Sequence, residues 1–201
     1  MKYQFNKISM QALQKQLKIR VGALPTLKSK ESALRHTVKK EREALARIEE
    51  TYTRKLADME GNLRLWAEFP ETLYQLGNLT LDVKKIAGVK TPLLSELDAH
   101  IEPYSAVLEQ AWIPHGLIIL KELSEMLVQI EVARKRILIL EYARKKTTQK
   151  VNLYEKVQIP AFTEGIRRIK RYLEDVDNLE KAAQKITRDR QAQALEGVAH
   201  G

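Results

Sequence analysis

Cysteine is absent from the 201-residue chain, which excludes disulfide bonds, thiolate metal ligands and cysteine nucleophiles. Glycine and proline are scarce, at 8 and 6 residues, and aromatic residues make up 6% of the sequence. This composition favours helices and offers few large side chains for a thick core. No stretch of 18 residues is free of charge, and the first residues, MKYQFNK, lack the apolar run of a signal peptide. We therefore expect no direct membrane insertion.

Charge divides the sequence into three sections. Residues 1–60 carry 14 basic and 7 acidic side chains, residues 61–112 carry 4 and 7, and residues 113–201 carry 17 and 12. A mildly acidic middle thus separates two basic arms. Together with the periodicity described below, this pattern predicts an N-terminal helix over 1–66, a head over 67–112 and a C-terminal helix over 113–201.

Apolar residues of the N-terminal arm recur with the alternating spacing of three and four that is typical of a coiled-coil seam. Eleven of fifteen consecutive seam positions are apolar. Asn6 or Ser9 can cap the helix, and Pro25 predicts a kink near Gly22. The apolar seam includes Leu13, Leu17, Leu24, Leu27, Leu34, Val38, Leu45, Ile48 and Tyr52. Four seam positions are polar, and there we expect local bends and lower stability: Arg20, Glu31, Glu41 and Lys55.

The C-terminal arm repeats this spacing in two registers, and Pro160 lies where the phase changes. A proline inside a helix removes one hydrogen bond and bends the axis, so we expect one kinked helix of about 80 residues. This helix extends beyond the N-terminal helix that it pairs with, so residues 191–201 should form a mobile tail. The seam here consists of Leu123, Leu127, Ile130, Ile137, Phe162, Ile166, Ile169, Leu173 and Val176.

The head changes from helical to alternating periodicity. A β-hairpin is predicted at about residues 79–95, with short helical pieces over Pro70–Gly77 and Pro103–Gln110. Its key residues are Ile86, Gly88, Val89 and Pro92. The chain must double back, so Leu34 should face the region near Lys145. The predicted fold is all-α: a long antiparallel two-helix coiled coil with a small central head that contains short helices and the hairpin.

No catalytic motif accompanies this pattern. The histidines at 36, 100, 115 and 200 lie far apart, and the sequence contains no HExxH, no phosphate-binding glycine loop and no GxSxG. Paired carboxylates such as Glu49 and Glu50 lie on a charged helix face, where a solvated role is the simpler interpretation. We therefore predict no catalytic residues, no metal, no cofactor and no enzymatic activity within this chain.

Basic clusters leave other functions open. Runs such as Arg134–Arg136 and Arg167–Arg171 could bind the phosphates of a nucleic acid, with affinity that falls as salt rises. Acidic residues are interleaved with these runs and aromatics for base stacking are scarce, so we favour no nucleic-acid partner. A coiled-coil adaptor or scaffold protein would have the same periodicity. Acidic protein partners would be attracted to both basic arms.

Three sequence blocks, in order, carry a resemblance to a known family. LKSKESAL at 27–34, after Asn6-Lys7, resembles the LLKxKRxxL stretch that follows NK in the D subunit of V-type ATPases, the vacuolar, archaeal and bacterial rotary enzymes. IAGVKTP at 86–92 is similar to the GVxxP hairpin of that family. VNLYE at 151–155, with the later IP at 159–160, is similar to its RRVNALE and IP elements. The matching positions are Lys28, Lys30, Val151, Asn152, Glu155 and Pro160.

Some positions depart from the family pattern. Thr26 replaces the first leucine of LLK, Pro25 is unexpected, and glycine stands one residue early at Gly22. TQK at 148–150 replaces the usual basic run before VN. These differences indicate a divergent bacterial member and bear on local geometry.

The resemblance implies a function. The D subunit is the central-stalk rotor shaft, a non-catalytic subunit that carries torque between the ring of A and B subunits, where ATP is hydrolysed or made, and ion transport in the membrane sector. Its implied partners are the A, B and F subunits and the funnel-shaped C/d-type subunit near the membrane. The implied location is the cytoplasmic, peripheral part of a membrane-bound complex. Residues 176–193 would enter the A/B collar, and the hairpin would lie in the half that binds F.

Overall fold

The computed structural model describes residues 3–61, 63–105 and 110–199, without the side chains of residues 63 and 192–199. The chain is mostly helical, at 75%, and contains a long helix pair and a small antiparallel β-hairpin. The elements are α1 (Lys7–Glu60), α2 (Leu63–Ala67), β1 (Tyr74–Ile86), β2 (Val89–Ile101), α3 (Ile113–Asn152), a π-helical segment (Leu153–Gln158) and α4 (Ile159–Ala199). Within the described residues, no helix is both long and apolar enough to span a bilayer.

The chain divides into two compact units, which we describe separately. The terminal unit consists of residues 1–28 and 148–201, and the central unit of residues 29–147. Helices α1 and α3 each contribute residues to both units.

Helix α1 begins at an asparagine cap. The side-chain oxygen Oδ1 of Asn6 accepts a hydrogen bond from the backbone N–H of Ser9 at 2.7 Å, so Asn6 is the N-cap of the two expected candidates. The helix continues past Pro25, and the kink predicted near Gly22 stays a prediction. It ends at Glu60, earlier than expected, and Trp66 lies in the separate five-residue helix α2.

The C-terminal arm changes phase through the π segment. The backbone N–H of Ile159 donates to the carbonyl oxygen of Tyr154, five residues earlier, which is the bonding pattern of a π-helix. Pro160 then lies in the first turn of α4, directly after the π segment. The arm is thus helical from Ile113 to Ala199, as expected, with a π segment ahead of Pro160, and the kink at Pro160 stays a prediction. Of the predicted mobile tail, the backbone is helical as far as Ala199, and residues 200–201 lie outside the described residues.

The hairpin of the central unit is longer than predicted. Each strand has 13 residues, and the two residues between the strands, Ala87 and Gly88, have φ angles of 49° and 76°, as in a type I′ turn. The helix expected over Pro70–Gly77 is wrong: the N–H of Leu73 donates to the carbonyl of Pro70 in a single turn, and β1 begins one residue later. The alternation of strand formers extends through that segment and outweighs the proline signal.

The second short helix predicted for the head does not begin where it was expected. Residues 103–105 are not helical, and residues 106–109 of the predicted helix Pro103–Gln110 lie outside the described residues. The backbone N–H of Glu102 instead donates to the carbonyl of Leu73 at 3.1 Å. The described part of the head is therefore built on the hairpin.

Two apolar clusters hold the central unit. Leu34, Val38 and Leu140 form one, against which Ile86 and Val89 of the hairpin pack. Leu34 also lies near Ala143 in this cluster, within a heptad of Lys145 as predicted. The second cluster consists of Leu73, Ile113 and Leu117, covered in part by Phe69, Tyr74, Tyr104 and Trp112.

Ion pairs show the direction of the helices in the central unit. Arg42 pairs with Glu141, Glu49 with Arg134, and Lys55 with Glu122. Residue numbers rise along α1 as they fall along α3, so the two helices are antiparallel here.

The terminal unit has a smaller core. Leu13, Phe162 and Ile169 are buried together, with Met10, Leu17, Ile166, Leu173 and Tyr3 packed around them. Val176 is the last half-buried residue of α4, and every side chain from 177 to 191 is exposed. The final turns of α4 therefore have no packing partner among the described residues of their own unit.

Candidate functional site

The apolar residues of the N-terminal seam are all buried or half-buried. Leu13, Leu34 and Val38 are buried, and the other six apolar seam residues are half-buried: Leu17, Leu24, Leu27, Leu45, Ile48 and Tyr52. The exposed residues of α1 lie mostly between them. Coiled-coil packing of these residues, with knobs in holes, stays a prediction.

The C-terminal seam residues are buried or half-buried with one exception. Leu123, Ile130, Ile137, Phe162 and Ile169 are buried, and Ile166, Leu173 and Val176 are half-buried. Leu127 is 42% exposed, and its place in the seam stays a prediction. A four-residue step turns a helix about 40° beyond a full turn, so the step from Leu123 to Leu127 reaches the rim of the buried face.

Polar residues of the seam have partners. Glu41 and Arg136 form an ion pair at 2.9 Å, and their side chains are 20% and 16% exposed. The Nε of Arg136 also donates to the carbonyl of Pro92 at 3.1 Å. A single guanidinium thus links α1, α3 and β2. The pair offsets part of the cost of removing these charges from water, and lower stability at Glu41 stays a prediction.

Two of the family-like blocks meet in the terminal unit. The Nζ of Lys28 lies 2.6 Å from Oε1 of Glu155, and both side chains are about half exposed. Nearby, Nε of Arg20 donates to Oε1 of Gln158 at 3.2 Å, and its guanidinium lies 5.8 Å from the ring centre of Tyr154. We call these five residues the motif cluster. It joins α1 to the π segment, and π-helical turns are frequent at functional sites.

The other residues of these blocks lie around the π segment. Val151 is half-buried and Asn152 is exposed, both in the last turn of α3, and Pro160 is exposed in α4. The hydrogen bond between Arg20 and Gln158 was not predicted, because a contact between residues 138 positions apart leaves no local signal in the sequence.

The third block forms the tip of the hairpin. Ile86 and Val89 face the Leu34 cluster, and Gly88 has the positive φ that favours glycine. The Nζ of Lys30 lies 3.9 Å from the point where a Cβ at Gly88 would be. Pro92 lies in β2 opposite Val83. Lys30 and the hairpin residues are therefore together in the central unit.

A buried threonine fixes the hairpin. Thr91 is 1% exposed, and its Oγ1 donates to the carbonyl of Lys84 at 2.9 Å, across from it in the ladder. Thr91 was not among the residues predicted from the sequence. Counting outward from the turn pairs it with Lys84, which is the signal that could have identified it.

The electrostatics are those of structural ion pairs. Hydrogen bonds to Glu49, and then to Glu131, raise the pKa of Arg134. Hydrogen bonds from Arg167 and Arg168 lower the pKa of Glu164. Each shift keeps its group charged at neutral pH, whereas an acid or base catalyst needs a pKa moved toward neutrality. In the described part of the chain, no group of three potential ligands could hold a metal ion. His200 lies outside that part.

A groove in the central unit was not anticipated. It has a volume of ≈ 500 Å³ and lies between β2 and the helices. Its lining includes Ile48, Leu94, Leu97, Val132 and Arg136. The lining residues are distant in sequence, which explains why periodicity did not reveal the groove.

Comparisons with known proteins agree with these blocks. Residues 9–189 match the family model of the ATP synthase D subunit. The V-type ATP synthase D subunit of Chlamydia trachomatis serovar L2 is 31% identical over 157 residues, which cover 76% of this chain and 77% of the relative. The protein of the same name from Borreliella burgdorferi is 28% identical over 177 residues, 87% of each chain. The match extends over both long arms and the hairpin, and the chain belongs to the ATP synthase D subunit family.

Proposed function

We propose that this chain is the central rotor of a V-type rotary ATPase and transmits torque between the catalytic ring and the membrane sector. The observation that carries the proposal is the family match over residues 9–189. Membership of this family supports a stalk subunit of a rotary ATPase. In the rotor role, either the conformational changes driven by ATP or the flow of ions turns this chain.

The proposed partners are other subunits of that complex. They are the A and B subunits of the catalytic ring, the F subunit and the funnel-shaped C/d-type subunit. The chain itself would be non-catalytic, and it would be located in the cytoplasmic, peripheral part of the membrane-bound complex.

Coupling would act through contact and charge. A rotor without threefold symmetry contacts the three catalytic interfaces of a ring unequally, so its angle favours a different conformation at each. Rotation then changes those populations in turn. The exposed turns of α4 over 177–191 support this role, since their side chains are free of packing within the terminal unit. We propose that this segment contacts the A/B collar.

Transmission also requires that the helices do not slip past one another. In the central unit, Arg136 links Glu41 to the carbonyl of Pro92. In the terminal unit, Lys28 and Glu155 link α1 to the π segment. We propose that such links, with the apolar seam, keep the paired helices within each unit from slipping as the chain turns.

Purification of the tagged full-length chain from its native source tests the assignment. The expected result is co-elution with A, B and F subunits, identified by mass spectrometry of every associated chain. Elution without them would favour the adaptor hypothesis. Binding to duplex or single-stranded nucleic acid that weakens steeply with salt would favour the nucleic-acid hypothesis.

A truncation extends this test to the proposed collar contact. Removal of residues 185–201 leaves every buried and half-buried described residue of the terminal unit in place, since the last of them is Val176. The variant should fold and keep F, but it should engage the A/B ring more weakly. Undiminished ring binding by the truncated chain would contradict the placement of this segment.

A further inference from the structure

Arg20 is a half-buried cation of the terminal unit that has no acidic partner. Its Nε donates to the neutral Oε1 of Gln158 at 3.2 Å. Among the described side chains, no carboxylate forms an ion pair with this guanidinium. A charge removed from water without a countercharge lowers stability. In coiled coils, a polar residue within the apolar seam specifies one arrangement of the helices at such a cost.

Two aromatic rings lie beside the same guanidinium. Its central carbon is 5.8 Å from the ring centre of Tyr154 and 5.5 Å from that of Phe162. A cation within about 6 Å of a ring centre is attracted to the ring. Gln158 lies midway between the two aromatic residues in the sequence. Arg20 therefore contacts three residues that are spaced four apart along the helix.

This spacing suits a π-helix better than an α-helix. Each four-residue step in an α-helix turns about 40° beyond a full turn, so Tyr154 and Phe162 would point about 80° apart. Between them, the N–H of Ile159 donates to the carbonyl of Tyr154, five residues earlier. A π-helical turn holds more residues than an α-helical turn, so the divergence is smaller. The contacts of Arg20 thus favour the π-helical form of this segment.

The π segment also determines which way the rest of α4 faces within the terminal unit. One residue of an α-helix corresponds to a rotation of about 100°, so an extra residue in one turn rotates every side chain that follows. Phe162 and Ile169 face Leu13 in the apolar cluster of this unit. The exposed side chains of residues 177–191 belong to the same helix. Their direction therefore depends on the π segment.

We propose that Arg20 is a positioning residue, which holds the π segment in its π-helical form and thereby orients the exposed side chains of residues 177–191. The competing form is a continuous α-helix, in which Tyr154 and Phe162 diverge and Arg20 loses contact with one of the two rings. The functional part of the inference rests on the proposed function, in which residues 177–191 contact the A/B collar.

Amide exchange of the free full-length chain, followed by NMR, tests the hold of Arg20 on the π segment. Arg20→Leu should speed exchange of the Ile159 amide at least tenfold and change the amides of residues 166–173 less than twofold. Lys18→Leu is the matched control, because Lys18 is exposed on the same helix, and it should have no effect. Arg20→Lys should recover part of the protection, since it keeps the charge.

Two results of this experiment would overturn the inference. Unchanged exchange at Ile159 would show that Arg20 does not hold the π segment. Equal acceleration over the whole terminal unit would show that Arg20 contributes only general stability. Gln158→Leu tests the same contact from the other side, and it should speed exchange of the Ile159 amide at least threefold.

Deletion of Val157 tests the role of the extra residue. Val157 is 57% exposed, and its removal should let the segment become α-helical while Phe162 still faces Leu13. In this shortened chain there is no π-helical form to hold, so Arg20→Leu should change exchange at Ile159 less than twofold. A tenfold effect that persists in the shortened chain would contradict the inference.

Binding to the A/B ring tests the functional part separately. Arg20→Leu should weaken ring binding at least threefold, and Lys18→Leu should not. Unchanged ring binding by a variant with a disturbed π segment would overturn the claim that Arg20 orients residues 177–191 for the collar. A wild-type chain that binds none of the A, B and F subunits overturns the rotor proposal but leaves the free-chain result on Arg20 intact.

Discussion

The central and terminal units use different means to hold helices together. The central unit combines two apolar clusters, a hairpin and ion pairs between α1 and α3 that include Glu41–Arg136. The terminal unit has one cluster in the described chain, around Phe162 and Ile169, and α4 continues beyond it with exposed side chains. Local stability follows local burial. We therefore expect the terminal unit to open first, and in the proposed rotor this would leave its last turns free to fit a partner.

The largest effect should come from matched core truncations. Leu140 in the central unit and Ile169 in the terminal unit are both 0% exposed, and each change to alanine should cost about 3 kcal/mol. Ile169→Ala should open the whole terminal unit, since no second described cluster supports it, whereas Leu140→Ala leaves the cluster around Ile113 intact. Hydrogen exchange resolved by peptide measures both.

Equal loss of protection in both units after Ile169→Ala would contradict this comparison, because the units would then unfold together. Equal loss of protection in both units after Leu140→Ala would contradict the comparison in the same way. Leu179→Ala, at a residue that is 71% exposed, serves as the control and should change little.

Substitution of glycine by alanine should change stability in opposite directions in the two units. A Cβ at Gly116 in the central unit would lie 2.8 Å from Cζ3 of Trp112, so the ring must move. Gly22 in the terminal unit has no atom within 4 Å of the same point. Gly116→Ala should destabilise by about 1 kcal/mol, the net of crowding and better helix propensity. Gly22→Ala should stabilise by about 1 kcal/mol, measured by urea unfolding, and a loss of stability there would break the argument.

The hairpin turn offers a smaller effect confined to the central unit. Ala87 has a φ of 49°, which costs an alanine roughly 1 kcal/mol relative to glycine. Ala87→Gly relieves that strain but increases the freedom of the unfolded chain, so the net gain should be a few tenths of a kcal/mol. Thermal unfolding followed by exchange of β1 and β2 measures it. Ala99→Gly, inside β2, should instead destabilise.

The smallest effect concerns pH in the terminal unit. Hydrogen bonds from Arg167 and Arg168 lower the pKa of Glu164 from its usual range. A carboxyl group with a lowered pKa in the folded state adds stability above its unfolded pKa, and this is lost as the pH falls through the folded value. Glu164→Gln should therefore slightly flatten the fall in melting temperature between pH 5 and pH 3. These two values bracket the pKa of an unperturbed glutamate, about 4.3. Glu180→Gln, in the exposed part of α4, should not.

Periodicity predicted the long helices because their apolar spacing is regular over many turns. It also predicted that Leu34 faces the region of Lys145, since antiparallel pairing about a known head leaves little freedom. Irregular features were harder to predict. The π segment depends on hydrogen bonds such as Ile159 to Tyr154, and no residue type specifies a π-helical turn in the way that proline specifies a helix start.

The head shows why local signals failed. Pro70 favours a helix start by its own geometry, but Tyr74 and the residues after it gain more from the ladder with β2. The motif cluster is similar: the resemblance marked Lys28 and Glu155, yet only the fold shows that these two side chains contact each other. Sequence patterns identify the members of such a cluster, and packing decides which of them meet.

The rotor claim is tested most directly by ATPase turnover of the reconstituted complex with this chain fixed to the ring. Arg188 lies in the exposed part of α4, and Arg188→Cys can be joined by a disulfide to a cysteine introduced in the facing A or B subunit. The account predicts that steady-state turnover stops on oxidation and returns on reduction, because rotation through three positions is blocked. A verified crosslink that leaves steady-state turnover unchanged would contradict it.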